Sequence, residues 1–398
     1  MNNYKVLIGV TGGIAVYKAL DLISKLRKHD IEVKVIMTES AEKFVTPLSF
    51  QSLSQNMVTT DMFQEPKAWE IQHISLAKWP DLVLVVPATA NIIGKVANGI
   101  SDDMLSTTIM ATKAPVYFAP AMNTNMYENP IVQGNISKLK EYGYGFINPD
   151  SGRLACGDVG AGKLAAVDDI LEVTLSLLNK NEDLKGKKIL ITAGPTISPI
   201  DPVRFITNRS SGKMGYAIAE EARDRGAEVV LVSGPTNIKP PYGIKFIKVN
   251  TNEEMKDAVL DNFVTSDIVI KAAAVADYKI AEYSDKKIKK GEGNLNLEFT
   301  RDNDILKILG EKKSESQILV GFAAESHDLI ENARRKLANK NLDLIVANDI
   351  TSNETGFASD DNRVIFITKS NESTVLDKMS KREISKKLLD EVMKISEN

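Results

Sequence analysis

One grammar occurs twice along this chain: an apolar run, a glycine turn, an amphipathic stretch and a second apolar run. The first copy begins Tyr4-Lys5-Val6-Leu7-Ile8-Gly9-Val10 and turns at Thr11-Gly12-Gly13. It continues with apolar residues at helical spacing over 14–29 and ends in Glu32-Val33-Lys34-Val35-Ile36-Met37. Strand, glycine turn, helix and strand in that order predict the opening of a doubly wound parallel sheet. Further strands are predicted at 82–86 and 116–118, with a closing helix at 168–178. The second copy starts Lys188-Ile189-Leu190-Ile191-Thr192, turns at Ala193-Gly194-Pro195-Thr196, and goes on to a helix over 212–225 and a strand over 228–232. Later strands are predicted at 268–270, 318–321 and 344–346, with 363–367 pairing at an edge. The copies share grammar and not residue identity. The expectation is therefore an α/β chain of two doubly wound, Rossmann-like domains rather than a solenoid. The polar stretch 179–187 is the expected linker, giving domains at 1–180 and 186–398.

The bulk composition serves mainly to exclude. A formal charge of -3 makes no electrostatic case for nucleic acid or a membrane surface as a partner. No stretch approaches the roughly 20 apolar residues that a bilayer span needs. With one cysteine, and no basic leader ahead of the first strand, the expected location is the cytoplasm.

That cysteine, Cys156, stands in Ser151-Gly152-Arg153-Leu154-Ala155-Cys156-Gly157-Asp158-Val159-Gly160-Ala161-Gly162-Lys163. The glycines predict a mobile loop whose backbone approaches a ligand closely. A lone thiol is filler, a metal ligand or a reactive group, and filler cysteines are usually buried among Val, Ile and Leu. Neither Gly12-Gly13 nor Gly194-Pro195 completes Gly-x-Gly-x-x-Gly, and Thr38 rather than an acid follows the second strand. An NAD site is thereby disfavoured. A glycine turn at a helix N-terminus still holds one phosphate. Thr38, Ser40, Ser101, Ser106 and Thr107 add hydroxyls near strand ends, which suits a mononucleotide such as FMN. Taken singly, each is equally a cap or a turn residue. Two polar loops, Pro87-Ala88-Thr89-Ala90-Asn91 and Ala119-Pro120-Ala121-Met122-Asn123-Thr124-Asn125-Met126, follow strands, where open α/β sheets bind ligands. Asn123 and Asn125 are alternatively helix caps, and His73 is alternatively structural.

Thr11-Gly12-Gly13-Ile14-Ala15, Gln72-His73-Ile74, the two polar loops and Leu154-Ala155-Cys156-Gly157, in that order, resemble the flavoprotein phosphopantothenoylcysteine decarboxylases. The resemblance spans nearly the whole first domain. It implies a flavodoxin-like fold with FMN near Gly12, Gly13, Thr38, Ser40, Thr89, Ser101, Ser106 and Thr107. It implies that Cys156 donates the late proton to an enethiolate, that His73 is a base assisting early oxidation, and that Asn123 binds the substrate carboxylate. It also implies a homo-oligomer assembled through this domain, with sites shared between subunits. Lys163 stands where the family usually has arginine, and Tyr127 where it usually has tryptophan.

In the second domain, Asp201-Pro202-Val203-Arg204-Phe205-Ile206-Thr207-Asn208-Arg209-Ser210-Ser211-Gly212-Lys213 offers many anion donors ahead of a helix. It is not Gly-x-x-x-x-Gly-Lys-Ser/Thr, so a P-loop is excluded. Asp277 ends a small-residue run after a strand and could hold Mg2+ through one oxygen. Lys287 belongs to the basic stretch 285–290, expected on a loop or hairpin. Lys336 and Lys340 lie one helical turn apart, facing phosphates or solvent. With Ala347-Asn348-Asp349 and Met379-Ser380-Lys381-Arg382, these motifs resemble the bacterial, CTP-using phosphopantothenate–cysteine ligases over most of 186–398. The resemblance implies that Asn208 contacts an acyl-cytidylate. It implies that Asp277, Lys287, the turn Asn303-Asp304-Ile305-Leu306, Phe322, Lys336 and Lys340 contact CTP. Asn303 stands where a proline is usual.

Together the two resemblances imply steps of coenzyme A biosynthesis. Cysteine is joined to 4'-phosphopantothenate at the expense of CTP, and the 4'-phosphopantothenoylcysteine so formed is decarboxylated to 4'-phosphopantetheine with FMN. No Ser/His/Asp set points to a covalent nucleophile. One alternative is a flavin-domain relative acting on peptide cysteines or prenyl groups, against which the linked ligase domain stands. Another is a flavin-binding regulatory subunit without turnover, against which the joint presence of His73, Asn123 and Cys156 stands.

Overall fold

The structure, a computed structural model, describes residues 4–63, 71–154, 157–178, 181–289, 295–325, 328–349 and 361–397. Its chain divides into two compact units, Met1–Asn179 and Lys180–Asn398. The first unit runs β1 (Lys5–Val10), α1 (Val16–Lys28), β2 (Glu32–Met37), α2 (Glu39–Glu42), α3 (Pro47–Ser54), β3 (Val58–Thr59), α4 (Gln72–Lys78), β4 (Leu82–Ala88), α5 (Ala90–Ala97), α6 (Met104–Ala111), β5 (Val116–Pro120), α7 (Thr124–Tyr127), α8 (Pro130–Glu141), β6 (Gly145–Phe146), β7 (Asp150–Arg153), β8 (Val159–Lys163) and α9 (Val167–Leu178). Strands β1 to β6 form one sheet in the order β3-β2-β1-β4-β5-β6. Every pair in it is parallel. The wholly buried run Leu82 to Ala88 in β4 shows why no alternation was visible there: helices cover both faces. Helix α1 lays Val16, Ala19, Leu22, Ile23 and Leu26 against the sheet at the i, i+3, i+4 spacing. Each larger side chain so buried contributes about 1.5–3 kcal/mol. The chain leaves β1 toward β2 on one side and reaches β4 on the other, so the carboxyl ends of β1 and β4 flank the point where strand order reverses.

The glycine-rich stretch expected as a mobile loop is in large part a hairpin. Strand β7 pairs antiparallel with β8. The second strand is anchored to the loop after β5, where the Met122 N–H donates to Gly162 O at 2.9 Å. Gly162 has φ +120, and a Cβ there would lie 2.5 Å from Met122 O. This position therefore needs glycine for both conformation and space. Hydrophobic periodicity cannot reveal such a hairpin, because Asp150–Arg153 carries no apolar residue.

The second unit runs β9 (Lys188–Ala193), β10 (Ile197–Pro199), β11 (Phe205–Thr207), α10 (Lys213–Asp224), β12 (Glu228–Ser233), β13 (Lys245–Lys248), α11 (Asn252–Phe263), β14 (Ile268–Lys271), β15 (Tyr278–Ile280), β16 (Phe299–Arg301), α12 (Ile305–Lys312), β17 (Ile318–Glu325), α13 (Leu329–Asn339), β18 (Leu344–Asp349), β19 (Asp361–Thr368), β20 (Ser373–Ser380) and α14 (Lys381–Glu397). Its main sheet has the order β13-β12-β9-β14-β17-β18-β19-β20. Pairing is parallel up to β18 and antiparallel through β19 and β20. Alternate residues serve opposite faces: Ile189 and Ile191 of β9 enter one core and Leu190 the other. The strand expected at an edge, within β19, is instead paired on both sides, and β20 is the edge. Only Leu376 of β20 is buried, so no apolar run announced it. Arg225, 2% exposed after α10, donates to Asp183 at 2.8 Å and to Asp390 of α14 at 2.8 Å. A buried guanidinium is tolerable only with such partners.

Candidate functional site

Each unit opens a cavity at its strand-order reversal. In the first, Thr11 is buried at the end of β1; its Oγ1 donates to Pro87 O at 2.7 Å and accepts from the Thr89 N–H at 3.1 Å. These bonds fix the carboxyl ends of β1 and β4 together. Gly12 packs against α2, where a Cβ would come within 2.8 Å of the Ser40 backbone. Around this junction lie two adjoining cavities, of about 400 Å³ and 560 Å³, both walled by Gly12 and Thr89. The smaller is polar, with Thr11, Thr38, Ser40, Asn91 and Lys95, and with the carboxylates of Glu39, Asp102 and Asp103, the last two paired with Lys95. The larger is mostly apolar, with Ile14, Ala121, Met122, Met126, Leu154 and Leu164 around Gly13 and Asn123. A hydroxyl-lined chamber joined to an apolar one fits a group with a polar phosphate chain and a flat ring. The N-terminus of α1 adds N–H groups without a side-chain cap.

Of the hydroxyl residues expected here, Thr38, Ser40 and Thr89 wall these cavities, and Thr38 Oγ1 also accepts from the Ala41 N–H at 3.3 Å as the cap of α2. Ser101, Ser106 and Thr107 are not among the residues walling these two cavities. Ser106 is fully buried and forms a capping box with Asp103 at the start of α6, so its hydroxyl is committed to the protein. Thr107 Oγ1 donates to Ser101 O at 3.3 Å. Ser106 thus lies off both walls, with its oxygen at the helix end. Asn123 does cap a helix, accepting from the Asn125 N–H at 2.9 Å, yet it also walls the cavity. Its Nδ2 donates to Asp158 Oδ2 at 2.6 Å, so a carboxylate of the hairpin region already engages the amide. The tip is framed by the Leu154 N–H donating to Asp158 O at 2.8 Å and the Gly157 N–H donating to Leu154 O at 3.0 Å. Cys156 itself lies outside the described residues. His73 is the second residue of α4, half-buried, and is not among the residues of either cavity wall. Lys18, in the first turn of α1, and Lys163 of β8 do wall the larger cavity. Burial first, then the charge of Lys163, holds the Lys18 ammonium below the ordinary lysine range, with Asp150 opposing.

The second unit's cavity, about 420 Å³, brings together Asn208, the first turn of α10, Lys271 to Val275, Asp277, Asn303 to Leu306, Phe322, Lys336 and Lys340. Asn208 Nδ2 donates to Ala274 O at 3.1 Å and to Val275 O at 3.2 Å, clipping the donor-rich loop onto the turn after β14. Lys340 pairs with Asp304 at 2.9 Å. Burial works against the Asp304 carboxylate, but hydrogen bonds from Lys340 and the Lys307 N–H outweigh it and hold the carboxyl low. Lys287 is exposed and is not among the wall residues.

Residues to which the sequence motifs assigned no role complete this site. Buried Asn252 donates to Asn303 O at 3.0 Å and so sets the turn ahead of α12. Asp201 accepts from the N–H groups of Val203 and Arg204, each at 2.8 Å, and from that of Ile288 at 3.1 Å. The Arg204 guanidinium in turn donates to Ile288 O at 2.8 Å. One carboxylate thus ties the loop leading to Asn208 to the loop that carries Lys287. The Arg204 guanidinium and these N–H groups hold the Asp201 carboxyl well below the usual carboxylate range, against its burial. Lys271 and Asn348 also wall the cavity, and Asn348 Oδ1 is buried with no hydrogen-bond partner among the described residues. Among those residues no group of His, Cys, Asp and Glu could hold a metal by itself, and no helix is long and apolar enough to cross a membrane.

Residues 1–179 match the flavoprotein family, and 184–395 match the family described as the DNA/pantothenate metabolism flavoprotein C-terminal domain. The coenzyme A biosynthesis bifunctional protein CoaBC of Bacillus subtilis (strain 168) is 52% identical over 399 residues, covering 100% of this chain and 98% of that one. Its namesake in Borreliella burgdorferi is 45% identical over 389 residues, covering 97% and 98%. That of Escherichia coli (strain K12) is 42% identical over 392 residues, covering 98% and 96%. Among solved structures, the C-terminal domain of a CoaBC protein is 43% identical, covers 55% of this chain and 100% of that chain, and has a TM-score of 0.48. The FMN binding protein AtHal3 is 32% identical, covers 44% and 97%, and has a TM-score of 0.40.

Proposed function

The chain belongs to the family of bifunctional coenzyme A biosynthesis proteins, and from that premise we propose that its two cavities carry the two activities in succession. The second unit joins cysteine to 4'-phosphopantothenate, and the first decarboxylates the product. What supports this reading is the pairing, in one chain, of a hydroxyl-and-apolar cavity with a lysine-rich one, each at a strand-order reversal.

In the second unit a carboxylate must become an electrophile. CTP supplies the activation: the carboxylate oxygen attacks the α-phosphorus, pyrophosphate leaves, and the cysteine amine then displaces CMP from the acyl-cytidylate. Asn208, held on the turn after β14, keeps one amide oxygen for the acyl-cytidylate. The turn Asn303-Asp304-Ile305-Leu306 and Phe322 position the nucleotide, while Lys336 and Lys340 offset the charge of its phosphates. Lys287 reaches the nucleotide from the loop that Asp201 anchors. Mg2+ suits a site where one carboxylate, Asp277, is joined by substrate phosphates, and it would there neutralise phosphate charge.

In the first unit Gly12, Gly13, Thr38, Ser40 and Thr89 would hold FMN. When bound, FMN supplies the oxidation of the substrate thiol that makes loss of CO2 possible, and the matching reduction afterwards. Asn123 binds the substrate carboxylate, His73 takes up the thiol proton, and Cys156 returns a proton to the enethiolate carbon. His73 lies off the cavity wall, and Leu48, Met57, Phe63 and Ile71 are exposed apolar side chains of this unit. Both support a homo-oligomer in which a neighbouring copy completes the site. The acidic net charge and single cysteine support a cytoplasmic enzyme acting on small molecules, without nucleic acid or membrane.

The test is direct. The FMN-loaded protein given CTP, phosphopantothenate and cysteine should release pyrophosphate and CO2; no pyrophosphate removes the ligase reading, and no CO2 removes the decarboxylase reading. A finer outcome follows from the 2.6 Å bond between Asn123 and Asp158. If Asn123 binds the substrate carboxylate, Asp158 competes for it. Asp158→Ala should then lower KM for phosphopantothenoylcysteine about 2- to 5-fold with kcat little changed, as steady-state kinetics would show.

A further inference from the structure

Lys271 is the last residue of β14, after Ile268, Val269 and Ile270, all of them buried. It pairs in register with Thr192 of β9 on one side and Gly321 of β17 on the other, at the point where the strand order reverses. A strand position of this kind, flanked by strands on both sides, ordinarily takes an apolar residue. Here it takes an ammonium that walls the lysine-rich cavity. Among the described residues that ammonium makes no hydrogen bond and no ion pair. The acid nearest in charge terms, Asp304, is already engaged by Lys340 at 2.9 Å and by the Lys307 N–H at 3.1 Å. Burial, then the charge of Lys340, pushes the Lys271 ammonium down to about 8; Asp304 and Asp277 oppose this and Lys336 adds to it. Burial of the charged form is costly, and an arriving anion would offset what Asp304 and Asp277 leave uncompensated.

We propose that Lys271 binds the phosphates of the nucleotide as a third cation beside Lys336 and Lys340, an assignment that rests on reading this cavity as the CTP site. A run of phosphates is favoured over the acyl substrate, whose phosphate and carboxylate stand at opposite ends of the molecule, because the wall carries Arg209, Lys213, Lys271, Lys336, Lys340 and Lys381 against only Asp277 and Asp304. In this position the stored unfavourable charge of the empty site becomes binding selectivity for the more highly charged ligand.

Calorimetric titration of the full-length, FMN-loaded protein with CTP and Mg2+, without acyl substrate, tests the assignment. Lys271→Met keeps the aliphatic stem and should weaken CTP about 10- to 30-fold, while the melting temperature of the nucleotide-free protein stays level or rises. Lys271→Arg keeps the charge and should recover most of the affinity. Phosphopantothenate titrated alone should bind both variants as it binds the parent. CTP affinity unchanged in Lys271→Met overturns the proposal, as does a loss that falls on phosphopantothenate instead. A parent protein that binds no CTP removes the nucleotide reading and the assignment with it.

Discussion

Replacing Cys156 with serine is expected to leave CO2 release intact while the output of 4'-phosphopantetheine falls about 100- to 10,000-fold. The two halves of the first unit's reaction make different demands. Oxidation and loss of CO2 need a base and an electron sink, neither of which the thiol supplies. The final step needs an acid able to protonate carbon, and a serine hydroxyl is far weaker than a thiol in that role. An oxidised enethiol product should therefore accumulate in the variant, visible by mass and by its absorbance. Among the described residues on either side, backbone bonds link Leu154 with Gly157 and with Asp158. Serine differs from cysteine only in the side-chain atom, and those backbone bonds do not depend on it. Unchanged pantetheine phosphate output would sink the assigned role.

Asp201→Ala should cost the ligation step on the order of 100-fold in kcat/KM for CTP, with decarboxylation of pre-formed substrate unchanged. The carboxylate is the common acceptor for N–H groups of two loops, through Val203, Arg204 and Ile288. Its removal frees the loop bearing Lys287 and the approach to Asn208 together. Asp201→Asn, which keeps the shape, should be intermediate. The sign with pH follows from the depressed carboxyl: its contribution is complete above the ordinary aspartate range and is lost as pH falls below that range. Melting curves of parent and variant should accordingly differ at neutral pH and converge in strong acid. Equal loss of both activities would mean general unfolding and overturn the anchoring role.

The strands and helices that place these sites were legible because apolar runs and helical spacing report burial directly. Val6 to Val10 and Leu82 to Val86 are buried end to end. Hidden elements share one physical cause: their partners come from distant segments and their own residues are polar or small. Strand β7 is Asp-Ser-Gly-Arg, and β20 buries one leucine. Among site residues, those in motifs such as Asn123, Asn208 and Asp304 came to cavity walls. Ser106 did not, since a serine in the first turn of a helix reads alike whether it completes a capping box or binds. Asp201 opens the donor-rich stretch 201–213 and Lys271 the small-residue run that ends at Asp277, yet neither had a role assigned to it; their importance comes from neighbours such as Lys340, Thr192 and Ile288, which only the fold brings near.

On the ribosome, the second unit has to wait for its last helix. Ile384, Leu388, Leu389 and Val392 of α14 share one core with Ile189 and Ile191 of β9, the strand that begins the unit. Buried Arg225 finds one of its acids before β9, in Asp183, and the other in α14, in Asp390. The first unit closes in the same way but earlier: its sheet ends at β6 and its final helix α9 settles on α1, all of it made before β9. Synthesis thus delivers a finished flavin-type unit while the ligase half is still an open chain exposing apolar strands. A message cut short within α14 would encode the later chemistry of the pair and not the earlier.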